Sequence, residues 1–439
     1  MKQILVLGSG LVARPLVRYL LGKGYRVVIA TLLLDRAEEM IGGSPNGKAF
    51  FFDVQDEARL ASFIESCDLA VSLLPFAYHP MVARLCIAHR KHMVTTSYIS
   101  PAMQELDETA RAAGVTVMNE IGVDPGIDHM SAMRIIDGTR RAGGRIIAFR
   151  SYCGGLPAPE ANDNPFGYKF SWAPRGVLLA GRNSARYLLD GRRIDVPSHR
   201  LFRDMHILAV EGLGDYEAYP NRDAISYIDT YGLGGIQTMY RATLRNLGWC
   251  DCLYSIGALG LLSLEEVEVR GQTYAGFMRN LIGCGNTENL KAATAAKLGI
   301  PREAFPILNL EWLGMFSDRQ FQVSRTTPLD ALGELMFEKL AFRPGERDMI
   351  VLHHDFRVEF PDGRRERTIS QLIDFGVPGG DTSMSRTVSL PAAIAVDLIL
   401  TGRIRRTGVL RPITPDIYDP VLEGLSAFHI ACREKTEAF

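Results

Sequence analysis

The sequence predicts an α/β protein: a parallel, doubly wound sheet at the N-terminus, then a second, mixed α/β domain carrying a helical insert. Three observations predict it. The chain opens on a short apolar run, Ile4 to Leu7, and passes through "GSGLVA" directly into an apolar-periodic helical stretch ending near Leu21. Further apolar runs then alternate with helical text: "YRVVIA" (25–30), "AFFFD" (49–53), "DLAVSLLP" (68–75), "HMVTTS" (92–97) and "VTVMNE" (115–120). Near-continuous apolar strands separated by helices mark a parallel sheet buried on both faces. After residue 125 the pattern changes to longer strand-like segments, followed by a nearly all-helical region from about 250 to 343.

The first turn carries the first chemistry. Gly8, Gly10 and Ala13 form G-x-G-x-x-A with a strand before and a helix after, the context a dinucleotide fingerprint requires. Gly8 permits the tight turn, Gly10 lets backbone approach a pyrophosphate, and small Ala13 allows close helix–strand packing. With Ser9, Leu11 and Val12 they form a Rossmann-type cradle, where orphan N–H groups and the helix dipole hold phosphate. Pro15 lies early enough in the helix to be tolerated. The second strand ends "Ala30-Thr31-Leu32" without the acid that usually binds the ribose 2′-OH of NAD. Thr31 and Arg36 could instead receive a 2′-phosphate, which favours NADP and leaves NAD possible; Arg36 could equally be a solvated helix residue. Asp53 and the pair Leu74-Pro75, each at a strand end, complete the candidate cofactor contacts.

In open parallel sheets the ligand sits outside the carboxyl ends of the strands. That points to Ser97-Tyr98 after the fifth strand and to "GVDPGIDHM" (122–130) after the sixth. Asp124 is expected to face substrate, the alternative being an Asx turn before Pro125. Asp128 is expected to cap the following helix, and His129 to be structural.

Beyond this, "RIIAFRSYCGGL" (145–156) and the hairpin-like "YLLDGRRIDV" (187–196) predict a mixed sheet. "AGFMRNLIG", "NLKAATAAKLG" and "LDALGELMFEKLAF" supply the helical insert, and strands return at "DMIVLHHDFRVEF" (348–360). "SLPAAIAVDLILTGRI" (389–404) reads as a buried helix with Pro391 in its first turn, packing back on the first domain. The expected boundaries are 1–125, 126–388 and 389–439. One stretch resists assignment: "NPFGYKFSW" (164–172) is broken by Pro165 and Gly167 yet crowded with aromatics. It is either an irregular corner of a core or a wrapper for a ligand.

Composition excludes several classes. In 439 residues, 49 basic and 50 acidic side chains give a net charge of -1, so no global field argues for nucleic acid or an anionic membrane. There is no cationic n-region of a signal peptide, and the longest apolar span, near 390–400, is short for a bilayer and carries Asp397. Seven cysteines, none in a CxxC pair, predict reduced thiols and a cytoplasmic protein. No metal constellation is expected: "CDC" (250–252) lacks a second ligand pair, and the adjacent His353 and His354 face opposite ways on a strand. No nucleophile elbow follows a strand. The chemistry therefore belongs to a cofactor, with protein groups orienting a small-molecule substrate. Arg222 in "AYPNRD" and Arg241 in "TMYRATLR" stand among turn and aromatic residues, a placement suited to holding a carboxylate or to an ordinary salt bridge.

Taken together, "LGSGLVARPLVRYL", "TSYISPAM", "EIGVDPGIDHM", "CGGLPAPEANDNPFGYKFSWAPRGVL", "YPNRD", "YRATLR" and "PDIYDP" resemble the saccharopine dehydrogenases of the NADP-dependent, glutamate-forming type. The resemblance runs from Ile4 to about Leu425. It implies an amino-acid substrate, saccharopine, interconverted with glutamate and 2-aminoadipate 6-semialdehyde through an imine, and a possible homodimer. It also implies substrate contacts at Ser97, Tyr98, Asp124, Cys153, Gly154, Tyr168, Phe170, Arg222 and Arg241, with "NPFGYKFSW" shielding the imine from water. Asp124 is then the candidate proton-transfer or amine-orienting group and Lys169 its rival; Cys153 is a packing or contact residue. The family commonly has a basic residue near Leu32, absent here, so Arg36 would have to take its part. Competing readings are a carboxynorspermidine-type polyamine dehydrogenase, which the two arginines disfavour, and a dinucleotide-binding redox sensor without turnover.

Overall fold

Strand β1 (Gln3–Leu7) runs through the glycine turn into helix α1 (Arg14–Gly22). The alternation continues with β2 (Arg26–Thr31), α2 (Leu34–Ile41), β3 (Gly47–Phe51), α3 (Glu57–Ser66), β4 (Leu69–Ser72), α4 (His79–Ala88), β5 (His92–Thr95) and β6 (Thr116–Met118). Every residue of β4 and β6 is buried, as covering on both faces demands. The computed structural model describes residues 1–285 and 287–439. The chain divides into two units, Met1–Ile146 with Val358–Phe439, and Ile147–Arg357.

In the first unit seven parallel strands lie in the order Gly408–Leu410, β6, β5, β4, β1, β2, β3. The chain reverses its direction of travel across the sheet between β1 and β4, which places a crevice at their carboxyl ends. The seventh strand comes from the C-terminal segment and pairs Val409 with Val117. Helix Ile127–Arg141, expected to open the second domain, is counted with this unit; Tyr418 donates to its Asp137 at 2.9 Å.

The apolar C-terminal helix differs from expectation. It spans Ser383–Leu400, capped by the Thr382 hydroxyl on the Ser385 N–H, so Pro391 lies inside it rather than in its first turn. Its early polar residues are buried because their hydroxyls are satisfied locally: Thr387 donates to the Ser383 carbonyl at 2.8 Å, and Ser383 donates to Asp374 at 2.7 Å. Length and composition alone would let this helix cross a membrane, yet most of it is buried inside the unit. Asp397, its one acid, accepts from Tyr25 at 2.6 Å and pairs with Lys23 at 3.4 Å.

In the second unit the strands run in the order His206–Val210, Gly214–Pro220, Thr238–Arg245, Arg145–Pro157, Asp348–Glu359. Thr238–Arg245 is parallel to Arg145–Pro157 and antiparallel to Gly214–Pro220. The expected hairpin forms from Ala185–Leu189 and Arg192–Val196, turning on Asp190 and Gly191, both at positive φ. Among the described residues, five helices between Trp249 and Lys339 make up the insert, with a two-residue ribbon pairing Val267 with Thr326.

Candidate active site

At the end of β1 the chain turns on Gly8 (φ +98°), where a Cβ would lie 3.2 Å from the Leu73 carbonyl oxygen. Only glycine avoids both the strain and the contact. Gly10 is different: its φ is ordinary, and a Cβ there would meet no protein atom within 4 Å. The space over Gly10 is therefore not reserved for this chain's own packing. Helix α1 begins without a side-chain cap, and Ala13 beside it is fully buried. An uncapped helix N-terminus under an open glycine fits a pyrophosphate.

Ser9 and Thr31 serve the scaffold. Their hydroxyls lie 2.8 Å apart, Ser9 donates to the Leu33 carbonyl, and Thr31 accepts the Leu33 N–H at 3.1 Å. Thr31 is buried, so its side chain locks the end of β2 and is not presented to a ligand, contrary to expectation. Arg36, in the first turn of α2, is exposed. Leu11 is exposed, and the Val12 carbonyl accepts from the Ser389 hydroxyl. Asp53 is exposed but accepts the Gln55 N–H at 3.0 Å in a turn after β3. Leu74 is half-buried and Pro75 exposed, just beyond β4.

A chain of polar groups joins the ends of β4 and β5. Ser72 Oγ lies 2.9 Å from His79 Nδ1; His79 Nε2 lies 2.9 Å from Ser97 Oγ and 3.2 Å from Thr95 Oγ1. Burial pulls the His79 imidazole down to about 4, so it is neutral at pH 7 and must donate through one nitrogen and accept through the other.

Next to Ser97, the Tyr98 hydroxyl donates to Asp124 Oδ1 at 2.9 Å. The segment bearing Asp124 is tight. Its Asp124–Pro125 peptide is cis, and a Cβ on Gly126 would come within 2.0 Å of the Gly122 carbonyl oxygen. Asp128 accepts the Gly126 N–H at 2.6 Å and the His129 N–H at 2.8 Å from within the first turn; the helix cap is Gly126 and not, as expected, Asp128. His129 is buried and donates to Glu120 Oε2 at 2.9 Å.

The second unit gathers the remaining candidates. Arg241 is opposite Ser151 in the parallel pairing, and Thr243 opposite Cys153, so Arg241 and Cys153 belong to one sheet face. Arg241 is buried with its guanidinium 4.5 Å from the Tyr227 ring centre. Arg222 is exposed at φ +53° just past the neighbouring strand, where the Asn221 N–H donates to the Arg241 carbonyl at 2.8 Å. Gly154 is small for packing: a Cβ would meet Leu244 Cβ at 2.8 Å.

"NPFGYKFSW" is in the main a core corner. Asn164 ties the turn, accepting the Phe166 N–H and donating to the Tyr168 carbonyl. Phe166, Tyr168 and Phe170 are buried, with Tyr168 4.7 Å from Trp249 and 5.4 Å from Phe170 between ring centres. Lys169, the expected rival for proton transfer, is 3% exposed in its side chain and held by Asp163 at 2.8 Å and Glu346 at 2.7 Å. An ammonium held by two carboxylates is already occupied, which suits a structural ion pair better than a shuttle. Sequence reasoning missed His79, Glu120 and Arg411, and also Arg245, a buried guanidinium 4.9 Å from the Tyr168 ring centre.

Comparison with known proteins identifies the family and the fold. The model of the saccharopine dehydrogenase NADP binding domain matches residues 4–118, and that of the saccharopine dehydrogenase C-terminal domain matches 122–430. The chain is 39% identical to the NADP(+), L-glutamate-forming saccharopine dehydrogenase of Pyricularia oryzae, over 100% of this chain and 99% of that protein. It is 40% identical to the protein of the same name from Schizosaccharomyces pombe, over 99% of each. The solved structure of apo histidine-tagged saccharopine dehydrogenase (L-Glu forming) from Saccharomyces cerevisiae matches with TM-score 0.90 at 38% identity, covering 100% of both chains.

Proposed function

The chain belongs to the saccharopine dehydrogenase family, and on that premise we propose that it interconverts saccharopine with glutamate and 2-aminoadipate 6-semialdehyde, using NADP(H), in lysine metabolism. The observation that carries the reading is likeness from end to end, covering both the dinucleotide-binding and the C-terminal regions. NADP, when bound, supplies the hydride exchange at the substrate carbon. The backbone from Gly8 to Val12 and the N-terminus of α1 hold its phosphates, and Arg36 meets the 2′-phosphate.

Asp124 receives the substrate amine. Its carboxylate is oriented by the Tyr98 hydroxyl, and a carboxylate so placed can hold an ammonium and exchange a proton with it during imine formation or hydrolysis. Ser97, fixed by neutral His79, offers a hydroxyl to the same region. Saccharopine carries three carboxylates, and Arg222 and Arg241 recognise two of them; burial strengthens the field of Arg241. Cys153 is a contact residue. Seven free cysteines support a reducing, cytoplasmic setting.

The test is to offer saccharopine with NADP and with NAD separately, follow the absorbance of reduced nicotinamide, and identify the products. Growth of signal with NADP, with glutamate and the semialdehyde formed, is expected. A flat trace with both cofactors while cofactor binding is intact would sink the reading and turn attention to polyamine substrates.

A further inference from the structure

Tyr98 is flanked by two backbone groups that one residue holds. The Glu120 N–H donates to the Ser97 carbonyl at 3.1 Å, and Glu120 Oε1 accepts the Ile99 N–H at 2.9 Å. Glu120 sits just past β6, 1% exposed, at φ +55°, a conformation that a residue with a side chain keeps only when its surroundings dictate it. Those surroundings are ionic. Arg411 Nε donates to Glu120 Oε1 at 3.0 Å, and His129 Nε2 donates to Oε2 at 2.9 Å. Burial pushes the Glu120 carboxyl up, but the hydrogen bond and charge of His129, the charge of Arg411 and the Ile99 N–H outweigh it and hold the group at about 2. Glu120 is therefore an anion at every working pH.

The same network reaches the other half of the pair. His129 lies in the first turn of the helix that follows the Asp124 segment, and that turn is tied to Gly126 through Asp128. Arg411 arrives from the C-terminal segment, delivered by the strand Gly408–Leu410, whose Leu410 carbonyl accepts the Asn119 N–H at 2.9 Å.

We propose that Arg411, with buried Glu120 and His129, forms a positioning network that sets the Tyr98–Asp124 hydrogen bond in register for catalysis. The C-terminal strand is thereby a working part of the active site although it supplies no group to the substrate. The inference rests on the reading of Tyr98 and Asp124 as substrate-facing. Stability is a weak reason for such a network, since buried ion pairs often break even against apolar replacements. Fixed geometry is the stronger one, because misplacement of about 1 Å can cost roughly 100-fold in rate.

The experiment uses the full-length enzyme with Glu120→Gln, Arg411→Met and Arg411→Lys, each also combined with Tyr98→Phe. Glu120→Gln and Arg411→Met should lower kcat about 10- to 100-fold while the NADP dissociation constant moves less than about twofold. Arg411→Lys should recover part of the loss. In a Tyr98→Phe background, Glu120→Gln should cost less than about threefold more, because its effect passes through that hydroxyl. Full additivity in the double variants, or wild-type kcat in Glu120→Gln and Arg411→Met, would overturn the proposal. A silent Tyr98→Phe would instead overturn the reading of the pair itself. Should Glu120→Gln fail to fold, the Arg411 series decides, since that side chain is 28% exposed and tolerates exchange better.

Discussion

Replacing Gly10 by alanine separates cofactor binding from folding. The backbone there is outside the left-handed region, and the new Cβ meets no protein atom within 4 Å. Folding should therefore not suffer; fewer unfolded conformations should even raise stability by about 0.4–1 kcal/mol. The methyl instead occupies the space through which a phosphate must approach. Losing one hydrogen bond between a backbone N–H and a charged phosphate costs roughly 1.5–3 kcal/mol, which converts to about 10- to 150-fold in affinity. Gly8→Ala is the internal contrast. At φ +98°, with its Cβ 3.2 Å from the Leu73 oxygen, it should lose about 1–2 kcal/mol of stability. Fluorescence titration with NADPH and urea unfolding on both variants give the two readouts. If Gly10→Ala binds NADPH like the parent, the cradle has been misassigned. If it destabilises the fold as Gly8→Ala does, the argument from open space is wrong.

Three further variants address single side chains. The unfolded His79 titrates near 6.5 and the folded one near 4, so its contribution to stability is complete above pH 6.5 and is lost as pH falls from 6.5 to 4, in total about 3 kcal/mol. His79→Gln should remove that part of the slope in urea midpoints measured against pH; an unchanged slope would mean the imidazole is not buried neutral. Lys169→Met should lower stability by about 1–3 kcal/mol, since it strips a buried cation from Asp163 and Glu346. The folded fraction should keep kcat within about tenfold; a kcat collapse at unchanged Tm would restore Lys169 as a proton-transfer group. Arg36→Ala should raise KM for NADP by about 10- to 100-fold and leave NAD untouched, because only NADP offers the 2′-phosphate. Equal effects on both cofactors would remove Arg36 from the specificity argument.

The six expected strands were legible as short apolar runs between helices, and for all but β3, which is largely exposed, burial on both faces is what erases the alternation. What was hidden depended on distant partners. The seventh strand is three residues, Gly408–Leu410, and nothing local marks it; its identity comes from the open edge of β6. The helix at Ser383 begins earlier than hydropathy suggests because hydroxyls satisfied by the preceding turn can be buried at little cost. Lys169 stood out in the sequence for its aromatic company, but Glu346, which occupies it, is 177 residues away. Glu120 and Arg411 are 291 apart, and neither is conspicuous in "VMNE" or "VLRP".

One signal for the missed residues was nevertheless present. Strands β2, β4, β5 and β6 are apolar through their middles, and at its carboxyl end each finishes in a polar residue or is followed by one: Thr31, Ser72, Thr95 and Asn119-Glu120. A polar side chain at the end of a doubly covered strand is too deep to be hydrated, so it must be hydrogen-bonded within the protein. Thr31 bonds Ser9 of the glycine turn, Ser72 and Thr95 share His79, and Glu120 takes Ile99, His129 and Arg411. Each of those partners lies on a connection that follows a strand's carboxyl end, at the start of the helix after one, or, for Arg411, just past the neighbouring strand. The polar strand ends thus convert a rigid apolar sheet into anchorage for the loops at its carboxyl edge, and reading outward from them leads to His79 and Glu120 without any knowledge of the substrate. Apolar strands that end in such residues should therefore direct attention to the next polar group along the chain, here the imidazole seven residues beyond Ser72.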